Sequence, residues 1–339
     1  MKKKIDLLIF TEASSSLGHG HVMRCKALAD EAREQGINVG FFTQDKYMVN
    51  ILQSLEEDSI IDFECNFTPR FVIRDFKNGS SLREVQRYLS KNCIVLLLDE
   101  LGQSRAIASL VSDVFMTSQR SLKYPHSENT KYLYGLNYAP LKKQFSKNHG
   151  AANPGSSIPG RLLVSFGGSD PFSITKHFIE ALNYVGFCGP ATVVASKMSP
   201  DFNHIEEILC GWKESEILDN VTDMSLHMKY CDIAVTKLGM IMLEAFCIGL
   251  GCITIEPTPA HLALQMDQAL FYNSWPVVGL GLANELDFFK AAHKTMELLH
   301  NPNEMSMLAQ QGANLVDGLG AKRIIEELLM LERENCVVR

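Results

Sequence analysis

The strongest constraint on this chain is a join that occurs twice: an apolar run of strand length, a glycine-bearing loop, then residues at helical spacing. The first copy is Ile5-Asp-Leu-Leu-Ile-Phe10, followed by Ser14-Ser-Ser-Leu-Gly18-His19-Gly20-His21-Val-Met-Arg24-Cys-Lys-Ala-Leu-Ala29. Met23, Ala27 and Leu28 in it keep the helical period. The second is Arg161-Leu-Leu-Val-Ser-Phe166, then Gly167-Gly168-Ser169. Asp170 reads as the N-cap of the next helix and Pro171 as its first residue. Ile174, Phe178, Leu182 and Val185 give that helix its apolar face. Chains in which strands alternate with helices in this way build parallel sheets covered on both faces.

The pattern continues on both sides of a polar segment. Strands are predicted at 37–43, 71–73, 94–98, 191–195, 232–236 and 252–256, and helices at 47–55, 81–89, 240–248, 286–299, 304–314 and 321–334. Residues 146–160 are rich in Gly, Pro and Ser and read as a linker. The chain has 339 residues, a comfortable length for two domains. The expected fold class is therefore α/β, with Rossmann-like domains over 1–150 and 151–339 facing a cleft.

Composition narrows the function. The net charge is −7 with no block of like charge, which argues against a nucleic-acid partner held through phosphates. Nine cysteines without a CxxC pair suit a reducing compartment, so a cytoplasmic location is expected. No His/Cys/Asp cluster has metal-ligand spacing, and no metal or other cofactor is expected. Met1-Lys-Lys-Lys and the apolar run behind it resemble a secretory signal only superficially, because the run is short and contains Asp6. No stretch reaches transmembrane length. Composition leaves the oligomeric state open.

Several residues are candidates on their own chemistry. Backbone N–H groups around Gly18 and Gly20, at the positive end of a helix, make an anion site, although such turns are also plain structural punctuation. His21 stands at that helix mouth with Arg24 one turn on along the same face. Histidine exchanges a proton near neutral pH and could activate water; Arg24 and the glycine loops could hold a diphosphate or a sugar. Asp99 ends the 94–98 strand, where ligands of open α/β sheets bind, or it caps the following turn. Gly167, Gly168 and Ser169 form a second phosphate-capable turn. Ser165 lacks the elbow pattern of a nucleophilic serine.

These stretches also carry a resemblance. Gly18-x-Gly20-His21-x-x-Arg24-Cys25-x-x-Leu28-Ala29 is similar to the opening motif of the PseG/SpsG family. Phe166-Gly-Gly-Ser-Asp-Pro171 with Thr175 resembles a second signature of that family, and Gly135, Tyr138, Leu141 and Phe145 its first-domain end. Leu264-Gln265-Met-Asp-Gln268-Ala269 and Val316–Arg323 extend the likeness over nearly the whole chain. The family comprises nucleotide-sugar hydrolases of pseudaminic acid biosynthesis and spore-coat polysaccharide relatives, with a fold similar to MurG-type glycosyltransferases. The resemblance implies a GT-B fold of two Rossmann-like domains whose last helix crosses back to the first. It implies His21, not His19, as the catalytic residue and a UDP-linked sugar as substrate. It places Gly239 and Gln265 at the nucleotide and sets Glu244 on the ribose hydroxyls, which a carboxylate can accept from together. This chain departs from the pattern at three places. Leu101 stands for a tyrosine, Leu264 for an asparagine, and Leu238, Met240 and Ile241 surround a single Gly239 where glycines with Ser or Thr are usual. The resemblance leaves a hydrolase, a glycosyltransferase on the same scaffold, and a non-catalytic or altered-ligand relative as readings.

Overall fold

The computed structural model describes residues 4–14, 18–57, 59–61, 68–154, 160–168, 170, 172–219, 221–273 and 275–337. The chain opens with β1 (Leu7–Thr11), α1 (Gly20–Glu34), β2 (Val39–Phe42), α2 (Lys46–Ser54), β3 (Ile60–Ile61) and β4 (Phe71–Asp75). Then come α3 (Leu82–Leu89), β5 (Ile94–Leu98), β6 (Leu110–Asp113), α4 (Ser118–Ser121), β7 (Lys131–Tyr134) and α5 (Lys143–Lys147). β8 (Leu162–Val164), α6 (Ile174–Tyr184), β9 (Ala191–Val194), α7 (Phe202–Leu209), β10 (Glu216–Leu218) and α8 (Met224–Met228) follow. Next are β11 (Ile233–Thr236), α9 (Met240–Ile248), β12 (Gly251–Glu256), α10 (Pro259–Phe271) and β13 (Val277–Leu282). Three helices finish the chain: α11 (Phe288–Leu299), α12 (Pro302–Leu315) and α13 (Gly320–Val337).

Two compact units result. The first takes the described residues of Met1–Ser14, His19–Lys143 and Gly318–Arg339; the second takes those of Ser15–Gly18 and Gln144–Asp317. The change of unit at Lys143/Gln144 lies a few residues before the linker-based division at 150, and 318–339 group with the first unit.

The first unit holds a seven-stranded sheet in the order β3-β2-β1-β4-β5-β6-β7, every pair parallel. Leu7 of β1 pairs with Val39 on one side and Phe71 on the other. All five residues of β5 are buried, as its unbroken apolar sequence requires of a sheet covered on both faces. The last helix returns to this unit as expected. Ala321, Ile324, Ile325 and Leu328 of α13 share one core with Val22, Cys25 and Leu28 of α1 and with Leu7 and Ile9 of β1. Gly320 starts α13 hard against the Ala139 backbone, where a Cβ would collide.

The second unit repeats the plan with six parallel strands in the order β10-β9-β8-β11-β12-β13. Its core gathers Leu162, Phe178, Leu182, Val235, Ile253 and Leu298. Each unit is thus Rossmann-like, and together the two sheets make the α/β fold class of GT-B proteins.

Two local expectations change. The helix expected directly after Asp170 begins at Ile174, with Ser173 at the N-cap in a left-handed conformation, φ 48°. Asp170 still serves that helix end, its carboxylate accepting from Ile174 N at 3.1 Å and Thr175 N at 2.8 Å. Pro171 lies outside the described residues. The strands β3, β6, β7, β10 and β13 escape the sequence reading; the first four are only two to four residues long, too short for a clear period.

Candidate functional site

In both sheets the strand order reverses once, between β1 and β4 and between β8 and β11. Ligands of open α/β sheets bind outside the carboxyl ends of the strands at such reversals. The sequence candidates fall at these two places.

In the first unit, α1 starts at Gly20, so His21 and Arg24 lie in its first turns, directly after β1. Gly18, two residues earlier and grouped with the second unit, has φ 76°, a left-handed conformation that a residue with a Cβ adopts only at a cost. His21 Nδ1 lies 2.6 Å from Asp75 Oδ1, and Asp75 is the last residue of β4. Arg24 reaches the same carboxylate twice, Nε to Oδ2 at 2.6 Å and Nη2 to Oδ1 at 2.5 Å. Cys25 Sγ donates to Oδ2 at 3.5 Å.

The charge state of Asp75 fixes the histidine tautomer. Burial alone would push its carboxyl up, but the charge and hydrogen bonds of Arg24, with His21, bring it down to about 2. An ionised carboxylate only accepts, so Nδ1 of His21 carries the proton and donates it. Arg24 Nη2, 3.2 Å from Nδ1, is then a close donor neighbour and not a partner. In the neutral ring Nε2 is left with its lone pair. The side chain is 20% exposed, so the ring is held from behind while keeping access to solvent. His19 differs: it is exposed, and its Nε2 meets the Tyr47 hydroxyl at 3.4 Å.

Arg24, expected at the sugar or diphosphate, turns its guanidinium onto two carboxylates. Besides the paired contacts to Asp75, Nη1 bonds Asp99 Oδ2. Burial works against its charge, and the two aspartates raise its pKa well above the usual value. Asp99 follows β5 in a left-handed conformation, φ 47°, and its Oδ1 accepts from Val114 N at 3.2 Å. It therefore links the ends of β5 and β6 rather than capping a helix, and 35% of its side chain remains exposed.

Two residues of this cluster escape the sequence reading. Asp75 does so because the strand is drawn only to Ile73; the signal was present, an aspartate closing an apolar run as Asp99 does. Asp113 ends β6 and is buried, with Arg105 Nη1 bonded to its Oδ2. Arg105 also donates to Glu100 O at 2.9 Å and Tyr134 OH at 2.6 Å. Burial, then the charge of Asp99, pushes the Asp113 carboxyl up to about 7 in spite of Arg105. Asp75, Asp99 and Asp113 thus close three adjacent strands.

In the second unit, Gly167 and Gly168 follow β8, and Gly239 stands at the N-cap of α9 after β11. Val164 pairs with Val235, so the two loops leave the sheet side by side. On the other side of β8, toward β9 and α7, a hollow is lined by Gly167, Gly168, Asp170, Thr175, Ala195 and Ser196. Ser169 lies outside the described residues. Glu244 is half-buried on α9. Gln265 is buried, and its Nε2 donates to Thr254 Oγ1 at 2.7 Å, so it packs within the unit. Leu238, an apolar departure from the family pattern, is 3% exposed and belongs to the core. Its backbone N–H bonds both oxygens of Glu256, at 3.1 and 3.2 Å, which pins the loop before α9. Leu101 is 45% exposed and Leu264 half-buried.

Among the described residues no group of three or more His, Cys, Asp and Glu has metal-holding geometry, and no helix is long and apolar enough to cross a membrane.

Comparison with known proteins agrees with this architecture. No family model matches the chain. The spore coat polysaccharide biosynthesis protein SpsG of Bacillus subtilis is 22% identical over 335 residues, covering 93% of this chain and 95% of SpsG. An uncharacterised protein of Methanocaldococcus jannaschii is 26% identical over 276 residues, 74% of this chain; the match spans about half of that relative, 55%. Among solved structures, MurG of Acinetobacter baumannii superposes with a TM-score of 0.63 at 12% identity, covering 96% of this chain and 99% of MurG. Arabidopsis thaliana UGT89C1, complexed with UDP-L-rhamnose, gives 0.59 at 9% identity, with coverage of 96% and 100%. The chain therefore has the GT-B fold and a distant likeness to SpsG.

Proposed function

We propose that this chain is a nucleotide-sugar hydrolase of surface polysaccharide or pseudaminic (nonulosonic) acid biosynthesis, with His21 as general base and a UDP-linked sugar as substrate. The observation that carries the reading is the His21–Asp75 pair at the strand reversal of the first sheet. A carboxylate behind Nδ1 fixes the tautomer, steadies the ring and stabilises the imidazolium that forms when Nε2 takes a proton. In the reaction, Nε2 removes a proton from water as its oxygen bonds the anomeric carbon. The bond from that carbon to the diphosphate oxygen breaks, and UDP leaves with the electron pair. Arg24 acts through Asp75 and Asp99 as a positioning residue. Asp99, the more exposed carboxylate, is assigned to the sugar hydroxyls, together with the Gly18 and Gly20 backbone. Gly167, Gly168, Ser169, Gly239, Glu244 and Gln265 are assigned to the nucleotide side, in the second unit.

A glycosyltransferase is the second reading, favoured by the MurG and UGT89C1 superpositions; the acceptor would then be a hydroxyl other than water. The test is to find the nucleotide sugar that raises the melting temperature most and assay it without acceptor. Release of free sugar and UDP, lost in His21→Asn and kept in His19→Asn, is the expected result. Turnover only when an acceptor is added would favour the transferase. Equal activity of the two variants would remove His21 from the mechanism.

A further inference from the structure

We propose that Lys237 is the cation that holds the diphosphate of the ligand in the second unit, an assignment resting on the nucleotide reading of that unit. Lys237 directly follows β11, at the reversal beside β8, where the loops 165–168 and 237–239 emerge together. Two residues later α9 begins, and Gly239 at its N-cap has no side chain to occupy the first-turn N–H groups. Free amides at a positive helix end beside an ammonium suit an anion with several oxygens.

Lys237 is half-buried, yet it makes no hydrogen bond or ion pair with a described residue. Two carboxylates are near enough to act on its charge, Glu256 and Asp170. Both are already engaged: Glu256 takes Leu238 N with its two oxygens, and Asp170 takes Ile174 N and Thr175 N. The ammonium is thus balanced at a distance while its three donors stay available. Burial pulls its pKa below the usual lysine value, against the two carboxylates, which is the condition of a cation short of a partner. Nearby, the hydroxyls of Ser165 and Thr236 are buried at neighbouring strand ends and find no partner among the described residues. A diphosphate would supply the acceptors that these donors lack.

The experiment is calorimetric titration of the full chain and its Lys237→Met and Lys237→Arg variants with UDP, uridine and inorganic pyrophosphate. Lys237→Met is expected to weaken UDP and pyrophosphate ~10–100-fold, as loss of a charged hydrogen bond does, and to leave uridine within about twofold. Lys237→Arg should keep most of the affinity. A UDP loss below about tenfold, or an equal loss for uridine, overturns the assignment and leaves Lys237 as a structural counter-charge for Glu256. Should Lys237→Met fail to fold by circular dichroism, Lys237→Gln replaces it in the same titrations. If the unaltered chain binds pyrophosphate but not UDP, the nucleotide reading falls while the anion site stands. Binding of neither overturns both.

Discussion

At the scale of single residues, the first unit is governed by Asp75, a carboxylate with four donors on it. Replacing it by Asn exchanges one acceptor oxygen for a donor that competes with Nδ1–H of His21, favouring the wrong tautomer. Asp75→Asn should lower kcat by ~10²–10⁴ with KM little changed, measured in the sugar-release assay. Its carboxyl, brought from 3.8 to about 2, contributes stability that is complete above pH 4 and lost as pH falls toward 2. That contribution is worth ~2 kcal/mol. Asp113 has the opposite sign. Its folded value, about 7, lies above the unfolded 3.8, so the folded state binds the extra proton and stability declines as pH rises from 4 to 7. Urea unfolding at a series of pH values should show that slope flattened in Asp113→Asn.

Elements are held by contacts that tolerate little change. Gly320 meets the Ala139 backbone so closely that any Cβ must displace the start of α13. Gly320→Val should destabilise the first unit by ~1–3 kcal/mol or more, read as a lower Tm by far-UV circular dichroism. In the second unit Glu256 holds the loop ahead of α9. Glu256→Ala leaves the Leu238 N–H without its acceptor, costing ~1–3 kcal/mol, and should weaken UDP binding by loosening Lys237 and Gly239. Unchanged affinity for UDP would detach that loop from the nucleotide.

On the scale of the whole molecule, α13 belongs to the first unit although it is last in the chain. Deleting 318–339 strips Ala321, Ile324, Ile325 and Leu328 from the core over α1. Each buried Ile or Leu contributes ~1.5–3 kcal/mol, so the first unit should unfold. Both tryptophans, Trp212 and Trp275, lie in the second unit. Their emission in the truncated chain should stay native-like while helical circular dichroism falls; a red shift of that emission would show that the second unit needs α13 as well.

The sequence by itself determined the α/β class, the two glycine joins and most central strands. Those are local properties: period, loop composition and residue type repeat within a few positions and need no distant partner to be read. Only the tertiary structure decided what each polar group faces. Arg24 lies 51 residues from Asp75 and 75 from Asp99, so its commitment to two carboxylates could not be read from spacing. Leu238 looks like a lost ligand group in sequence, yet its side chain fills the core and its N–H serves Glu256. Strand order, set by which apolar faces pair, brought the ends of β1, β4, β5 and β6 together; that arrangement gathered scattered aspartates into one cluster.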